Sequence, residues 1–204
     1  MIPRLHYISQ APHLENIENA CIAGCELVQL RAKHISTNEY MELAVKAKEI
    51  TEKYNVKLVV NDIPEIALAI RAYGLHLGKD DMHPKHARQI VGPDCIIGGS
   101  TNAYEDIIMM INSGVDYVGL GPFNHTKTKS NLNPILGLEG IKNIILKLRM
   151  VHKSIPIIAI GGIESKDIKS LVEVGAYGVA ISSAITNASD KKEMVKEIKS
   201  YFPI

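Results

Sequence analysis

The 204-residue sequence has no excess charge of either sign: 23 Lys and Arg against 22 Asp and Glu leave a formal net charge of +1. Such a balance creates no global field to gather nucleic acid or an anionic membrane, so any anion site has to be local. No apolar run approaches the ~20 residues of a membrane span. The opening residues, Met-Ile-Pro-Arg-Leu-His-Tyr, lack the charged-then-apolar layout of a secretory signal, which predicts a cytoplasmic protein. Cysteines number 3, with Cys21 and Cys25 four apart in a predicted helix. That pair is too small a ligand set for a metal and reads as buried free thiols in a reducing compartment. There is no linker, no low-complexity stretch and no Gly-x-Gly-x-x-Gly after the first apolar strand.

What is there is a repeat of one pattern: a short apolar strand, polar residues, then a helix. Strands are predicted at Leu5–Ser9, Leu27–Arg31, Lys57–Asn61, Leu75–Leu77, Ile96–Gly98, Tyr117–Leu120, Ile157–Ile160 and Gly178–Ile181. Between them, Ser36 and Glu39 make a capping box for a helix over Ser36–Tyr54, and Tyr40, Leu43, Ala44, Ala47, Thr51 and Tyr54 trace its apolar face. Asn102 and Glu105 offer the same start signal later, while Gly24, Gly114 and Gly175 stand where helices end. Eight such units point to an α/β fold with a parallel sheet. Eight strands of about 5 residues and eight helices of about 11 consume roughly 130 residues. The remaining ~70 give connections of about four residues each. The arithmetic favours one minimal (β/α)8 TIM barrel over residues 1–204, with a doubly wound open sheet as the alternative.

In such a barrel, chemistry sits at the C-terminal strand ends. The second strand ends Val28-Gln29-Leu30-Arg31-Ala32-Lys33, and alternation puts Gln29, Arg31 and Lys33 on one face. Pointing into the mouth, two cations and an amide suit a highly anionic substrate; a strand fraying into a charged loop is the plainer reading. Asn61 and Asp62 end the third strand, and Asp81 follows the fourth. Two carboxylates on adjacent strand ends are the kind of set Mg²⁺ takes, since it keeps several waters. Asp62 as the cap of the next helix is the competing assignment. His76 reads as a rim or core histidine satisfied by hydrogen bonds, and His83 and His86 as an exposed helix start.

After the sixth strand, a long polar connection carries Thr126, Thr128 and Lys129, a phosphate clamp or else a charged surface loop. Its small polar residues predict a lid, mobile without ligand and ordered with it. The last two units end in Gly161-Gly162 and in Ser182-Ser183. Glycine lets backbone amides approach an anion, and a helix start presents unpaired N–H groups to it.

With these residues assembled, the sequence resembles the thiamine phosphate synthase family over nearly its whole length. The likeness is carried by Val-Gln-Leu-Arg-Ala-Lys, Val-Asn-Asp, Leu-His-Leu-Gly-Lys-Asp-Asp, Gly-Gly-Ser-Thr, Asp-Tyr-Val-Gly-Leu-Gly-Pro, Thr-Lys-Thr-Lys, Ala-Ile-Gly-Gly-Ile and Gly-Val-Ala-Ile-Ser-Ser-Ala-Ile. The resemblance implies a transferase that joins hydroxymethylpyrimidine diphosphate to hydroxyethylthiazole phosphate and releases pyrophosphate, through a pyrimidine cation. It implies that Gln29 holds the pyrimidine and that Arg31, Lys33, Asn61 and Lys129 contact the diphosphate. Asp62 and Asp81 would place Mg²⁺, Ser100 would lie near the departing pyrophosphate, and Thr126, Thr128, Gly162, Ser182 and Ser183 would bind the thiazole phosphate. Arg31, Lys33, Ser100 and Lys129 are thus the expected catalytic groups, and no nucleophile is needed. Lys79, Tyr73, His125 and Ile63 depart from the family's usual text. A related thiazole tautomerase is the nearest rival, and retention of Gln29, Asn61, Asp62, Asp81 and Lys129 argues against it. A catalytically silent ligand-binding barrel is the rival of another class. Partners are expected to be the two small molecules, with self-association left open.

Overall fold

Strand pairing decides between the closed and the open sheet. A computed structural model describes residues 1–126 and 134–202. Among them run β1 (Leu5–Ile8), β2 (Leu27–Leu30), β3 (Lys57–Asn61), β4 (Gly74–Leu77), β5 (Ile96–Thr101), β6 (Tyr117–Leu120), β7 (Ile157–Ile160) and β8 (Gly178–Ile181). Each pairs in parallel with its neighbour in sequence, and β8 returns to β1 with Tyr7 opposite Ile181, closing a barrel. The helices are α1 (His13–Ile22), α2 (Thr37–Lys53), α3 (Pro64–Ala69), α4 (Pro84–Val91), α5 (Tyr104–Asn112), α6 (Gly137–Met150), α7 (Ser165–Glu173), α8 (Ser183–Thr186) and α9 (Lys191–Ser200). No described helix is long and apolar enough to cross a membrane.

Alternation along the strands sorts the side chains. Val28, Leu30, Val60, Leu75, Val118 and Val179 face outward into the main core shared with the helices. Ile8, Tyr117, Ile158 and Ala180 form a separate cluster inside the barrel. The Tyr117 ring fits there because Gly98 has no side chain, and a Cβ at Gly98 would overlap the ring. Interior volume is therefore filled by one large residue against a glycine.

Local signals act where the sequence places them, with one shift. Ser36 Oγ accepts from the Glu39 N–H, and the Glu39 carboxylate accepts from the Ser36 N–H at 2.8 Å, closing the box that starts α2. Such a cap contributes about 1 kcal/mol. For α5 the carboxylate comes from Asp106, which accepts from Asn102 and Ala103 N–H at 2.8 and 3.0 Å. Glu105 is not the partner, and Asn102 instead donates its side-chain amide to the Gly121 and Pro134 carbonyls. Asn102 thus ties the base of the long β6–α6 connection rather than capping a helix. Cys21 and Cys25 are buried free thiols, which burial pushes up to about 12.

Candidate active site

The rim above β2, β3 and β4 is built from side chains. Gln29 and Asn61 are each 4% exposed and meet through a 2.7 Å bond from Gln29 Nε2 to Asn61 Oδ1. Tyr40 of α2 fastens both strand ends from behind, donating to the Leu30 carbonyl at 2.6 Å and accepting from the Asn61 N–H at 3.2 Å. The pattern of α2 marked Tyr40 as apolar core; its hydroxyl has a second duty, as buried tyrosine hydroxyls do. Asn61 Nδ2 is buried with no hydrogen-bond partner. An orphaned amide of this kind costs about 1–3 kcal/mol unless an acceptor arrives.

Asp62 sits at φ 70° in a three-residue turn closed by the Ile63 N–H on the Asn61 carbonyl at 3.0 Å. A non-glycine residue there carries about 1–3 kcal/mol of strain. It does not cap α3, whose N-cap residue is Ile63 with no side-chain bond. The turn aims the carboxylate across the rim, where it pairs with the Lys33 ammonium and lies within hydrogen-bonding reach of Asp81. Burial raises the Asp81 pKa and the neighbouring Asp62 adds to the rise, while the Gly78 N–H and Lys33 oppose it. The Gly78 N–H donates to Asp81 Oδ2 at 2.6 Å, which holds this carboxylate in place.

Two carboxylates at one rim are a donor set of the kind Mg²⁺ takes, with the Lys33 ammonium on Asp62 as the competitor the ion would displace. Among the described residues no group of three or more His, Cys, Asp and Glu assembles, which is a poor set for zinc but not for an ion that keeps its waters. Lys79, one of the departures, forms a 2.6 Å ion pair with Asp106 Oδ2. Against a burial cost, that pair and the backbone donors hold the Asp106 carboxyl below its usual range. Tyr73, another departure, lies at the opposite end, its hydroxyl on the Met1 carbonyl at 3.3 Å. A cleft of about 390 Å³ at that far end, lined by Arg149, Lys153 and Tyr177, is remote from the rim.

The β6–β8 side is built from backbone. Phe123 and Asn124 donate their N–H groups to the Ile160 and Gly161 carbonyls, both at 2.8 Å. Leu136 and Gly137 in turn donate to the Pro122 and Phe123 carbonyls at 2.9 and 3.0 Å, so the connection is cinched at its base. Gly162 has φ 65°, and a Cβ there would strike the His125 carbonyl oxygen. The backbone leading to Thr126 thus lies over the double glycine, hydrogen-bonded to Ile160 and Gly161 at Phe123 and Asn124. Those hydrogen bonds cost nothing in apolar area, which is why composition did not announce them. Thr128 and Lys129 lie outside the described residues.

Ser182 precedes α8, donating Oγ to the Ile8 carbonyl at 2.6 Å and accepting from Gln10 Nε2 at 2.8 Å. Its hydroxyl is therefore committed to β1 and its loop, leaving backbone for any ligand, and Ser183 is exposed beside it. Gln10 went unnoticed in the sequence because its loop carries no spacing signal. Ser100, half-buried on β5, meets His76 Nε2 at 3.0 Å. Arg31 and Thr126 are also partly buried at the mouth. His83 caps α4 and is exposed, as read from the sequence.

Residues 4–185 match the family model described as thiamine monophosphate synthase. Thiamine-phosphate synthase of Flavobacterium johnsoniae is 41% identical over 202 residues, covering 97% of this chain and 95% of its own. The protein of the same name from Clostridium novyi is 42% identical over 176 residues, with 86% and 84% covered. The solved thiamine phosphate pyrophosphorylase from Pyrococcus furiosus superposes with a TM-score of 0.84 at 29% identity, covering 97% of this chain and 94% of that one. A 3-hexulose-6-phosphate synthase shares the barrel at TM-score 0.73 with 13% identity, a likeness of fold alone. With motifs, closed barrel and near full-length relatives in agreement, the chain belongs to the thiamine monophosphate synthase family.

Proposed function

We propose that this enzyme, a single domain of residues 1–204, condenses hydroxymethylpyrimidine diphosphate with hydroxyethylthiazole phosphate, giving thiamine phosphate and pyrophosphate. The observation that carries the reading is Asn61 Nδ2, buried and unpartnered beside two carboxylates and a lysine. Such a donor awaits an anionic acceptor, and a diphosphate supplies one.

Gln29, anchored on Asn61, presents the rest of its amide to the pyrimidine. Asn61, Arg31, Lys33 and Lys129 receive the diphosphate, and Asp62 and Asp81 would hold Mg²⁺, whose charge would offset that building on the leaving diphosphate. Lys33 then exchanges its carboxylate partner for a phosphate oxygen. The C–O bond breaks with its electron pair leaving on pyrophosphate, and Ser100 stands near that oxygen. The thiazole nitrogen adds to the pyrimidine cation, so the chain need supply no nucleophile. Backbone N–H groups around Gly162, Ser182 and Ser183, with Thr126 and Thr128, bind the thiazole phosphate and fix its ring for capture. Preorganised donors at the departing charge are the main source of rate.

The deciding assay supplies both substrates with Mg²⁺ and follows thiamine phosphate and pyrophosphate together. Formation of both in equal amounts is expected. Isomerisation of the thiazole with no pyrophosphate released would sink the reading in favour of a tautomerase.

A further inference from the structure

Beneath the mouth, the barrel interior holds three polar rings, His6, His76 and Tyr117, none more than 7% exposed. His6 has a local explanation: its Nε2 meets the Pro3 carbonyl at 3.0 Å, and burial drives its pKa down to about 3. It is a neutral ring closing the barrel floor. His76 is placed differently. From β4 it bridges two hydroxyls on other strands, Nδ1 to Tyr117 Oη on β6 and Nε2 to Ser100 Oγ on β5, each at 3.0 Å.

For a neutral His76 ring, donor counting assigns this chain of bonds a direction. Burial raises the Tyr117 pKa, so the phenol keeps its proton. A buried O–H needs an acceptor, and His76 Nδ1 is the one it meets. A neutral imidazole has one donor and one acceptor nitrogen, so an accepting Nδ1 leaves the ring proton on Nε2. Nε2 then donates to Ser100 Oγ. The Ser100 proton, no longer spent on His76, is free to point to the mouth. Room for the relay is cut into the strands: Gly98 yields to the Tyr117 ring, and a Cβ at Gly119 would come within 3.3 Å of His76 Cε1.

We propose that Tyr117 and His76 are positioning residues that hold Ser100 as a hydrogen-bond donor toward the departing diphosphate. The inference rests on the reading of Ser100 given above. With the ring reversed, the serine proton would be consumed by Nε2 and a lone pair would face the anion. The relay therefore acts on the step where charge leaves, and its signature is in kcat rather than in KM.

A double-mutant cycle in the full chain tests this, with hydroxymethylpyrimidine diphosphate, thiazole phosphate and saturating Mg²⁺. Tyr117→Phe removes one oxygen, which reaches Ser100 only through His76. Its kcat should fall about fivefold, the worth of one buried hydrogen bond, with both KM values within about twofold. On a Ser100→Ala background the same change should alter kcat by less than about twofold. An equal loss on both backgrounds overturns the relay while leaving Ser100 in its role. Full kcat in Ser100→Ala alone removes that role, and the relay with it. His76→Gln, whose amide can still donate to Ser100, guards against a folding defect in Tyr117→Phe. It should retain more kcat than His76→Ala at matched thermal stability, and equal activity of the two variants would count against the proposal.

Discussion

The two sides of the barrel mouth are made of different material. On the β2–β4 side, Gln29, Asn61, Asp62, Lys33 and Asp81 reach one another through side chains. On the β6–β8 side, Gly161 and Gly162 lie under the backbone of Phe123–His125, and the Ser182 hydroxyl is spent on Gln10 and Ile8. A side built from side chains offers charge, and single atoms should matter to it. A side built largely from backbone offers shape, and around Gly162 and Ser183 it should tolerate the loss of a hydroxyl but not the gain of a methyl.

The largest effect should come from the charged side. Asp62→Asn keeps the volume and removes one carboxylate from the proposed Mg²⁺ pair. We expect turnover to fall by about a hundredfold or more, on the scale of losing several kcal/mol of transition-state stabilisation, with far-UV circular dichroism unchanged. Near-normal turnover at low Mg²⁺ would take Asp62 out of the metal site and weaken the contrast at its root.

Next is the backbone side. Gly162→Ala brings a Cβ against the His125 carbonyl and a side chain to a φ of 65°. KM for the thiazole phosphate should rise about tenfold, a cost of about 1.4 kcal/mol, while KM for the diphosphate stays close to its starting value. If the two KM values rise together, the mouth is not divided as described.

A smaller effect, on stability, separates function from folding at the rim. The Asp81 pKa is raised by burial and by Asp62. A carboxyl whose folded pKa exceeds its unfolded value keeps its proton longer in the native state, so the fold loses stability as pH rises through that window. In metal-free enzyme, Asp81→Asn should therefore raise the thermal midpoint at neutral pH, and the gain should vanish below about pH 4, where carboxyls are protonated anyway. A gain that persists unchanged in acid would point to packing instead of charge. Activity should fall in the same variant, a trade of function for stability.

The smallest effect belongs to Ser183→Ala. Where backbone N–H groups hold the phosphate, removal of this exposed hydroxyl should change both KM values by less than about twofold, well within about 0.5 kcal/mol. A loss as large as that of Gly162→Ala would show that the Ser183 hydroxyl itself, and not the backbone beside it, holds the phosphate.

Much of this was written along the chain in local form. Period-two alternation sorted Val28 and Leu30 from Gln29, because a strand allows no other arrangement; β2 ends at Leu30, so Arg31 and Lys33 take their places from the loop that follows it. Ser36 with Glu39 marked the start of α2, since both atoms lie within one helical turn. The order of the motifs named the family before any contact was known. Other features had no local signature. Barrel closure depends on β8 meeting β1, a pairing that alternation cannot distinguish from an open edge. Asp62 could have been a helix cap until the turn at Asn61–Ile63 turned its carboxylate to Lys33 and Asp81. Tyr40, His76, Tyr117 and Gln10 acquire their roles from hydrogen bonds to residues on other elements. By itself, then, the sequence determined the strands, their inward faces and the chemical kinds of group at the mouth, because these follow from neighbours a few residues apart. Only the tertiary structure decided which carboxylates meet, which hydroxyls are already committed and which amide is left waiting, because those depend on distances between strands that the chain connects only through a helix.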